Sequence, residues 1–298
     1  MLRVVITGGG GLLAGALKAA PPQGIELLAL GHAEFDLANS QQMAMRVAEL
    51  RPQVVINTAA YNLVDGCETE RELSWRINAA GPADLAALCS ARSCRLIHFS
   101  TDYVFDGEKR HPYLEADVAN PLNHYGAGKL AGEQAVLQAD ARHLVLRTSW
   151  LFGEHPIQTK TYIHAVLRAV AEGKALRAAR DQHSVPTYAL DLACWAWHLT
   201  RAGAEGLFHA VNDEGVSRYD WTRIIVEEAH AAGIIPRLPE VEPVTSASFN
   251  PTMRRPAYTV LSNEKLASLI GSPLGSWRGG LRAFLRNSKR LAVSRAAG

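Results

Sequence analysis

Tyr125 and Lys129 stand four positions apart in the run Tyr-Gly-Ala-Gly-Lys. If this run opens a helix, one turn sets both side chains on one face and brings an ammonium beside a phenol. A nearby cation stabilises phenolate and draws a tyrosine pKa down from about 10 toward the working pH. Such a tyrosine can donate or accept a proton. A second set of groups precedes the pair: Ser100-Thr101-Asp102-Tyr103 places four polar side chains in a row after the apolar run Leu96-Ile97-His98-Phe99. A third is the stretch Gly8-Gly9-Gly10-Gly11. Backbone without side chains approaches a pyrophosphate closely, and a helix opening behind it binds the anion through exposed N–H groups and its dipole.

These groups are far apart in the chain, so the scaffold must bring strand ends together. Val4-Val5-Ile6 leads into the glycines and then into helix-compatible Ala16-Leu17-Lys18-Ala19-Ala20, the strand, turn and helix in which a glycine motif carries a mechanism. Gly8 and Gly11 fit a G-x-x-G-x-x-G spacing whose third position is Ala14, still small enough for close helix packing. Further strands are expected at 25–30, 54–57, 96–99 and 144–147, separated by helices at 40–50, 70–78, 82–90 and 130–137. Five strands alternating with helices define an α/β fold, a doubly wound parallel sheet of Rossmann-like type. Later segments are helices at 161–172, 190–201 and 219–232, a strand at 206–211, and helices at 263–269 and 277–285. The proline-broken run 236–256 leaves the sheet. Residues 1–150 and 188–235 are assigned to a dinucleotide-binding domain, and 151–187 and 236–298 to a smaller substrate-binding lobe over the carboxyl edge. The polar, basic stretch 286–298 reads as a solvated, frayed tail.

In such sheets ligands collect at the carboxyl ends of the strands. Around the first three strand ends the expected dinucleotide contacts are Gly8, Gly10, Gly11, Leu12, Leu13, His32, Asp36, Leu37, Ala59, Ala60 and Tyr61. An acidic residue ending the second strand would hold a ribose 2′-hydroxyl, and an arginine a 2′-phosphate. Gly31-His32 supplies neither and leaves room for a phosphate, which favours NADPH with NADH also accepted. After the fifth strand, Trp150 is placed to wall a sugar or a nicotinamide. Arg254 and Arg255 lie on the proline-broken excursion, where a guanidinium suits a pyrophosphate.

Composition narrows the function classes. The net charge is +2 with basic residues scattered, so nucleic acid is not an expected partner. Cys67, Cys89, Cys94 and Cys194 form no CxxC pair and have no histidines at zinc-finger spacing, which reads as reduced thiols. His98, His124 and His183 lack a matched acidic pattern, so no metal site is expected. No apolar run approaches about twenty residues, so no membrane span is expected. Met1-Leu2-Arg3 passes directly into a strand without signal-peptide features, and the expected compartment is the cytoplasm.

Several strings stand together in this chain: Ile6-Thr7-Gly8-Gly9-Gly10-Gly11, Asn57-Thr58-Ala59-Ala60-Tyr61 with Val64-Asp65, Ile77-Asn78-Ala79-Ala80-Gly81-Pro82, and Ser100-Thr101-Asp102-Tyr103-Val104-Phe105-Asp106-Gly107. Asn120-Pro121-Leu122-Asn123-His124-Tyr125-Gly126 with Lys129, Leu146-Arg147-Thr148-Ser149-Trp150, Pro186-Thr187-Tyr188-Ala189 and Arg255-Pro256-Ala257-Tyr258 follow them. Over nearly its whole length the chain thereby resembles the dTDP-4-dehydrorhamnose reductase family of extended short-chain dehydrogenases/reductases. The resemblance implies a catalytic set of Thr101, Tyr125 and Lys129, with threonine where many relatives have serine. It implies that Tyr125 gives the proton, and that Lys129 lowers the tyrosine pKa and binds the nicotinamide ribose. Asp102, Tyr103 and Trp150 are the implied substrate contacts, to which Arg255 is added from its place on the proline-broken excursion, and Asn78 is implied to support the active-site helix and cofactor. The implied reaction is NADPH-dependent reduction of the C4 ketone of dTDP-4-dehydro-6-deoxy-L-mannose to dTDP-L-rhamnose. Reduction of another nucleotide-linked 4-keto sugar, or a non-catalytic regulatory role, are the alternatives within the same likeness. A homodimer is the assembly the family allows.

Overall fold

β-branched and leucine-rich runs make the central sheet. The six strands are β1 (Leu2–Thr7), β2 (Ile25–Leu30), β3 (Val54–Asn57), β4 (Arg95–Thr101), β5 (Leu144–Thr148) and β6 (Gly206–His209). All are parallel, in the order β6-β5-β4-β3-β1-β2, in a computed structural model that describes residues 1–154, 161–249 and 253–296. Val4, Val5 and Ile6 are buried without alternation, as a parallel sheet covered on both faces requires. On one face α1 (Leu12–Ala19) and the helix Ala189–Ala202 bury Leu13, Leu17, Leu192 and Trp197 against Val4, Ile6 and Ile97. On the other, α2 (Ser40–Leu50), α3 (Gly81–Ser90) and α4 (His124–Ala139) bury Met43, Val47, Leu85 and Val136 against Val5, Val55 and Leu96. Strand order reverses between β1 and β3, which makes their carboxyl ends the expected ligand crevice.

A second core holds the remaining lobe. It includes Tyr113, Phe152, Ile163, Trp277 and Phe284, and it takes in Trp221, Ile224 and Ile225 from the helix Arg218–Ala231. That helix falls inside the expected 188–235 segment, and its buried side chains join this second core. Short strand pairs brace this lobe: Leu176–Ala179 beside Val241–Val244, His183–Ser184 against Val216–Ser217, and Leu151–Phe152 beside Thr187–Tyr188.

Two segments differ from their sequence expectation. The helix expected at 70–78 is an α-helix at Arg71–Trp75 that widens into a π-helical turn at Arg76–Ala80 and runs on into α3. The chain end is not frayed from residue 286: one helix spans Trp277–Ala296. Its last part is rich in leucine, lysine, arginine and alanine, all strong helix formers, and no glycine or proline interrupts it after Gly280. Residues 297 and 298 of the expected tail lie outside the described residues.

Candidate active site

α4 opens at the carboxyl edge of the sheet, capped by Asn123, whose Oδ1 accepts from Gly126 N at 2.8 Å and whose Nδ2 donates to the Arg254 carbonyl. The cap puts Tyr125 in the first turn. A β-carbon on Gly126 would run into the Tyr103 carbonyl and one on Gly132 into the Asn78 carbonyl, so only glycine lets the helix lie this close. Close docking brings the Tyr125 ring edge-on to the Tyr103 ring, centroids 5.8 Å apart, with Thr101 in its electrostatic neighbourhood.

Lys129 is 3% exposed. Its Nζ donates to the Phe99 carbonyl at 2.6 Å and lies 3.3 Å from His98 Nε2. Asn57 Oδ1 accepts from Ala59 N and Thr7 Oγ1, which turns its Nδ2 toward His98 Nδ1 at 3.0 Å. Burial and the neighbouring Lys129 hold the His98 pKa well below the usual histidine value, so the imidazole between Asn57 and Lys129 is neutral. Burial brings Lys129 down to about 8, with Glu133 pulling the other way. The expected depression of Tyr125 is absent in this arrangement. Surrounding protein pushes the phenol up, Thr101 partly offsets this, and Asp102 and Tyr103 add to it. The lysine's donors are turned to the Phe99 carbonyl, so desolvation of the phenol dominates.

Thr101 Oγ1 accepts from Tyr103 N and donates to Asp102 Oδ1 at 3.0 Å. Asp102 Oδ2 accepts from Ser184 and Thr259 hydroxyls. The carboxylate expected to face a sugar is thus enclosed at the junction of three segments, and its contact with Thr101 sets that hydroxyl's place. Burial raises its pKa, and the three hydroxyls oppose the shift. Asn78, seated in the π-helical turn, grips the main chain of Tyr61 at both ends of its amide, through Tyr61 N and O.

At the dinucleotide crevice Gly8 has φ +68°, and a β-carbon there would lie 2.8 Å from Ala59 N, so the ends of β1 and β3 touch. Gly10 opens on empty space, and Gly11 caps α1 with no side-chain hydrogen bond. An anionic diphosphate fits this cradle at the helix N-terminus. The hydroxyls of Ser100 and Thr148, buried on β4 and β5, have no hydrogen-bond partner among the described residues. Leu13 and Leu37 are buried in the core, whereas His32 is exposed, its Nδ1 3.6 Å from Asp36. Ala60 is exposed and Ala59 half-buried. Glu34 folds back so that Oε2 accepts from Gly31 N at 2.9 Å, which puts at the end of β2 the acidic group that the strand itself lacks.

A cleft of about 520 Å³ opens beyond Tyr103, lined by Asp65, Tyr162, Arg177, Gln182, Arg218 and Arg255 among others. Arg255 pairs with Asp65 at 2.7 Å, and burial is the first influence on its pKa, outweighed by the neighbouring Tyr103 and Asp65, which favour its charge. Arg254 is exposed and meets the site through its carbonyl alone. Trp150 holds φ +38°, an uncommon value for a tryptophan and one that clusters at functional sites. Its indole stacks on Trp221 and carries the Arg218 guanidinium 3.4 Å above the ring. Sequence reasoning missed Arg218, Arg177, Tyr162 and His98. No local pattern marks the first three: Arg177 lies on the pair Leu176–Ala179 with Val241–Val244, Arg218 follows the pair Val216–Ser217 with His183–Ser184, and Tyr162 opens the helix Tyr162–Ala171.

A doubly wound sheet with a glycine turn at its switch point and Thr101, Tyr125 and Lys129 at one edge defines the class of extended dinucleotide-dependent reductases. The family model described as the RmlD substrate binding domain matches residues 2–290, and the chain belongs to this family. It is 39% identical over 290 residues to dTDP-4-dehydrorhamnose reductase of Mycobacterium tuberculosis, covering 95% of this chain and 92% of that one. A dTDP-4-dehydrorhamnose reductase structure from Clostridium acetobutylicum superposes with a TM-score of 0.89 at 30% identity, covering 97% of this chain and all of the other. A Bacillus anthracis enzyme of the same description, solved in complex with NADP, gives a TM-score of 0.88 at 31% identity and covers 95% and 99% of the two chains.

Proposed function

We propose that this protein is an NADPH-dependent reductase that converts dTDP-4-dehydro-6-deoxy-L-mannose to dTDP-L-rhamnose. The observation that carries the reading is the meeting of Thr101, Tyr125 and Lys129 at the ends of β4 and α4 in a chain of this family. NADPH, when bound, supplies the hydride. The Thr101 hydroxyl swings from Asp102 to the substrate carbonyl oxygen, and the Tyr125 hydroxyl donates to the same oxygen. Two donors aimed where negative charge grows stabilise the transition state, and water is kept out by the enclosing lobe. A phenol that burial holds protonated is a competent proton donor in the reducing direction. Lys129, its pKa brought down by burial to about 8, still carries its proton near pH 7, and a polar partner that replaces lost solvent holds that charge more firmly.

The six-stranded sheet and the helices packed on its faces, Ala189–Ala202 among them, form the dinucleotide-binding part in this reading, and the segments built on the second core form the substrate lobe; the support is the separate packing of that core from the two clusters on the sheet faces. No helix among the described residues is long and apolar enough to cross a membrane. Cys67, Cys89, Cys94 and Cys194 are all free thiols, which supports a cytoplasmic setting. A homodimer is supported by exposed Leu63, Leu73 and Trp75 beside His124, and light scattering on the purified chain measures it. The decisive experiment offers dTDP-, UDP- and GDP-linked 4-keto-6-deoxy sugars with NADPH and with NADH. Oxidation with the dTDP sugar is expected; oxidation only with a UDP or GDP sugar defeats the assignment.

A further inference from the structure

Three guanidiniums line the cleft beyond Tyr103, and they differ in what balances their charge. Arg255 is paired with Asp65, and Arg177 lies 3.4 Å from Glu242. Among the described residues the Arg218 side chain has no carboxylate partner and no hydrogen-bond acceptor. What holds it is aromatic. Its Cζ lies 3.4 Å from the centre of the Trp150 ring, 4.5 Å from that of Tyr162 and 5.2 Å from that of Trp221. The chain invests in this placement: the strand pair Val216–Ser217 with His183–Ser184 and the bond from Arg218 N to the Gln182 carbonyl at 2.8 Å aim the residue into the cleft.

We propose that Arg218 is a substrate-holding residue of this reductase, its guanidinium laid on the Trp150 indole so that its N–H edge grips the diphosphate of the nucleotide sugar. The proposal rests on the function read above. Stacking uses the faces of the guanidinium and leaves its edges, the donor fork that matches phosphate oxygens bidentately. An enclosed cation without a counter-charge is unfavourable, and a bound anion removes that penalty. Burial works against the charge on Arg218 and outweighs Tyr162, Tyr103 and the more distant Asp102, which favour it, while Arg255 opposes it too. The placement also sets the direction of the substrate. Trp150 follows β5, whose Thr148 pairs in register with Thr101 of β4. A sugar with its ketone at Thr101 and Tyr125 thus lies along Tyr103 and Trp150 and directs its phosphates to Arg218 and Arg255.

The test measures dTDP binding to the cofactor-free protein by calorimetry, NADPH binding in parallel, and steady-state KM and kcat with the nucleotide sugar. Arg218→Met keeps the stacked bulk and removes the charge; Arg218→Lys keeps a charge without the fork. Loss of a charge-assisted contact corresponds to about a tenfold to hundredfold weaker dTDP binding for Arg218→Met. A matching rise in KM is expected, an intermediate effect for Arg218→Lys, and NADPH affinity and thermal unfolding close to wild type. Unchanged dTDP affinity in Arg218→Met overturns the proposal, as does equal loss of NADPH and dTDP binding in a correctly folded variant. If Arg218→Met does not fold, Arg218→Lys decides by the same ratio. A wild-type protein that binds UDP or GDP in place of dTDP defeats the dTDP assignment alone, and Arg218 is then judged with that nucleotide. A wild type that binds none of the three overturns both.

Discussion

Burial outweighs every other influence on the Tyr125 phenol, and it works toward the protonated form. Replacing Tyr125 with phenylalanine removes the proton donor and little bulk. Turnover is expected to fall about a hundredfold to ten-thousandfold while NADPH affinity is kept, measured by NADPH oxidation and by fluorescence titration. Lys129 gives a pH signature in the cofactor-free protein. Its pKa is brought from 10.5 to about 8 on folding, so below pH 8 it is charged in both states and the burial penalty is complete. Between pH 8 and 10.5 the unfolded chain still holds the proton that the folded chain has released, and stability rises with pH. Relative to Lys129→Met, the wild type is expected to gain about 3 kcal/mol across that window, read by denaturant unfolding. A flat difference between the two proteins would mean that the lysine is not held near neutrality. Tyr125 acts in the opposite sense above pH 10, because the folded phenol keeps its proton longer than the unfolded one.

Elements place these groups through close backbone approach. α4 packs by its glycines, and the π-helical turn carries Asn78 against both α4 and Tyr61. Gly132→Ala drives a methyl into the Asn78 carbonyl; a loss of about 1–3 kcal/mol is expected, with weaker dinucleotide binding because Tyr61 shifts too. Asp102 ties the end of β4 to Ser184 and Thr259 of the second lobe. Asp102→Ala leaves buried hydroxyls without their acceptor and is expected to lower stability by about 3 kcal/mol, again measured by denaturant unfolding. In sheets of this type the end of β2 is where an acidic group meets a ribose 2′-hydroxyl and a basic one a 2′-phosphate. Glu34, folded on Gly31 N, brings a carboxylate to that turn. Glu34→Gln is expected to raise the ratio of kcat/KM for NADPH over NADH, and an unchanged ratio would free Glu34 of any part in the choice.

At the scale of the whole molecule, three hydrophobic clusters divide the work: two sandwich the sheet and one builds the lobe over its carboxyl edge. A ligand that binds only the folded chain stabilises all of them together. NADPH at a hundred times its Kd is expected to add about 2.7 kcal/mol, seen as a raised thermal midpoint, and dTDP is expected to add its own increment through the second lobe. The positions of the first five strands were legible because each is a continuous apolar run bounded by turn residues, and the helix Arg218–Ala231 was legible as a helix at 219–232. Its membership was not. Trp221, Ile224 and Ile225 could face either core, and only packing decides which.

The sequence by itself determined the alternation of strands and helices, the glycine turn after β1 and the spacing of Tyr125 and Lys129. Each of these is set by backbone preference and periodicity over a few residues. Only the tertiary structure decided that Lys129 turns to Phe99 and His98, that Asp102 is enclosed, that Glu34 covers the turn after β2 and that Arg218 lies on Trp150. Those arrangements join segments remote in the chain, and both the direction of a side chain and its desolvation depend on which neighbours the fold presses against it.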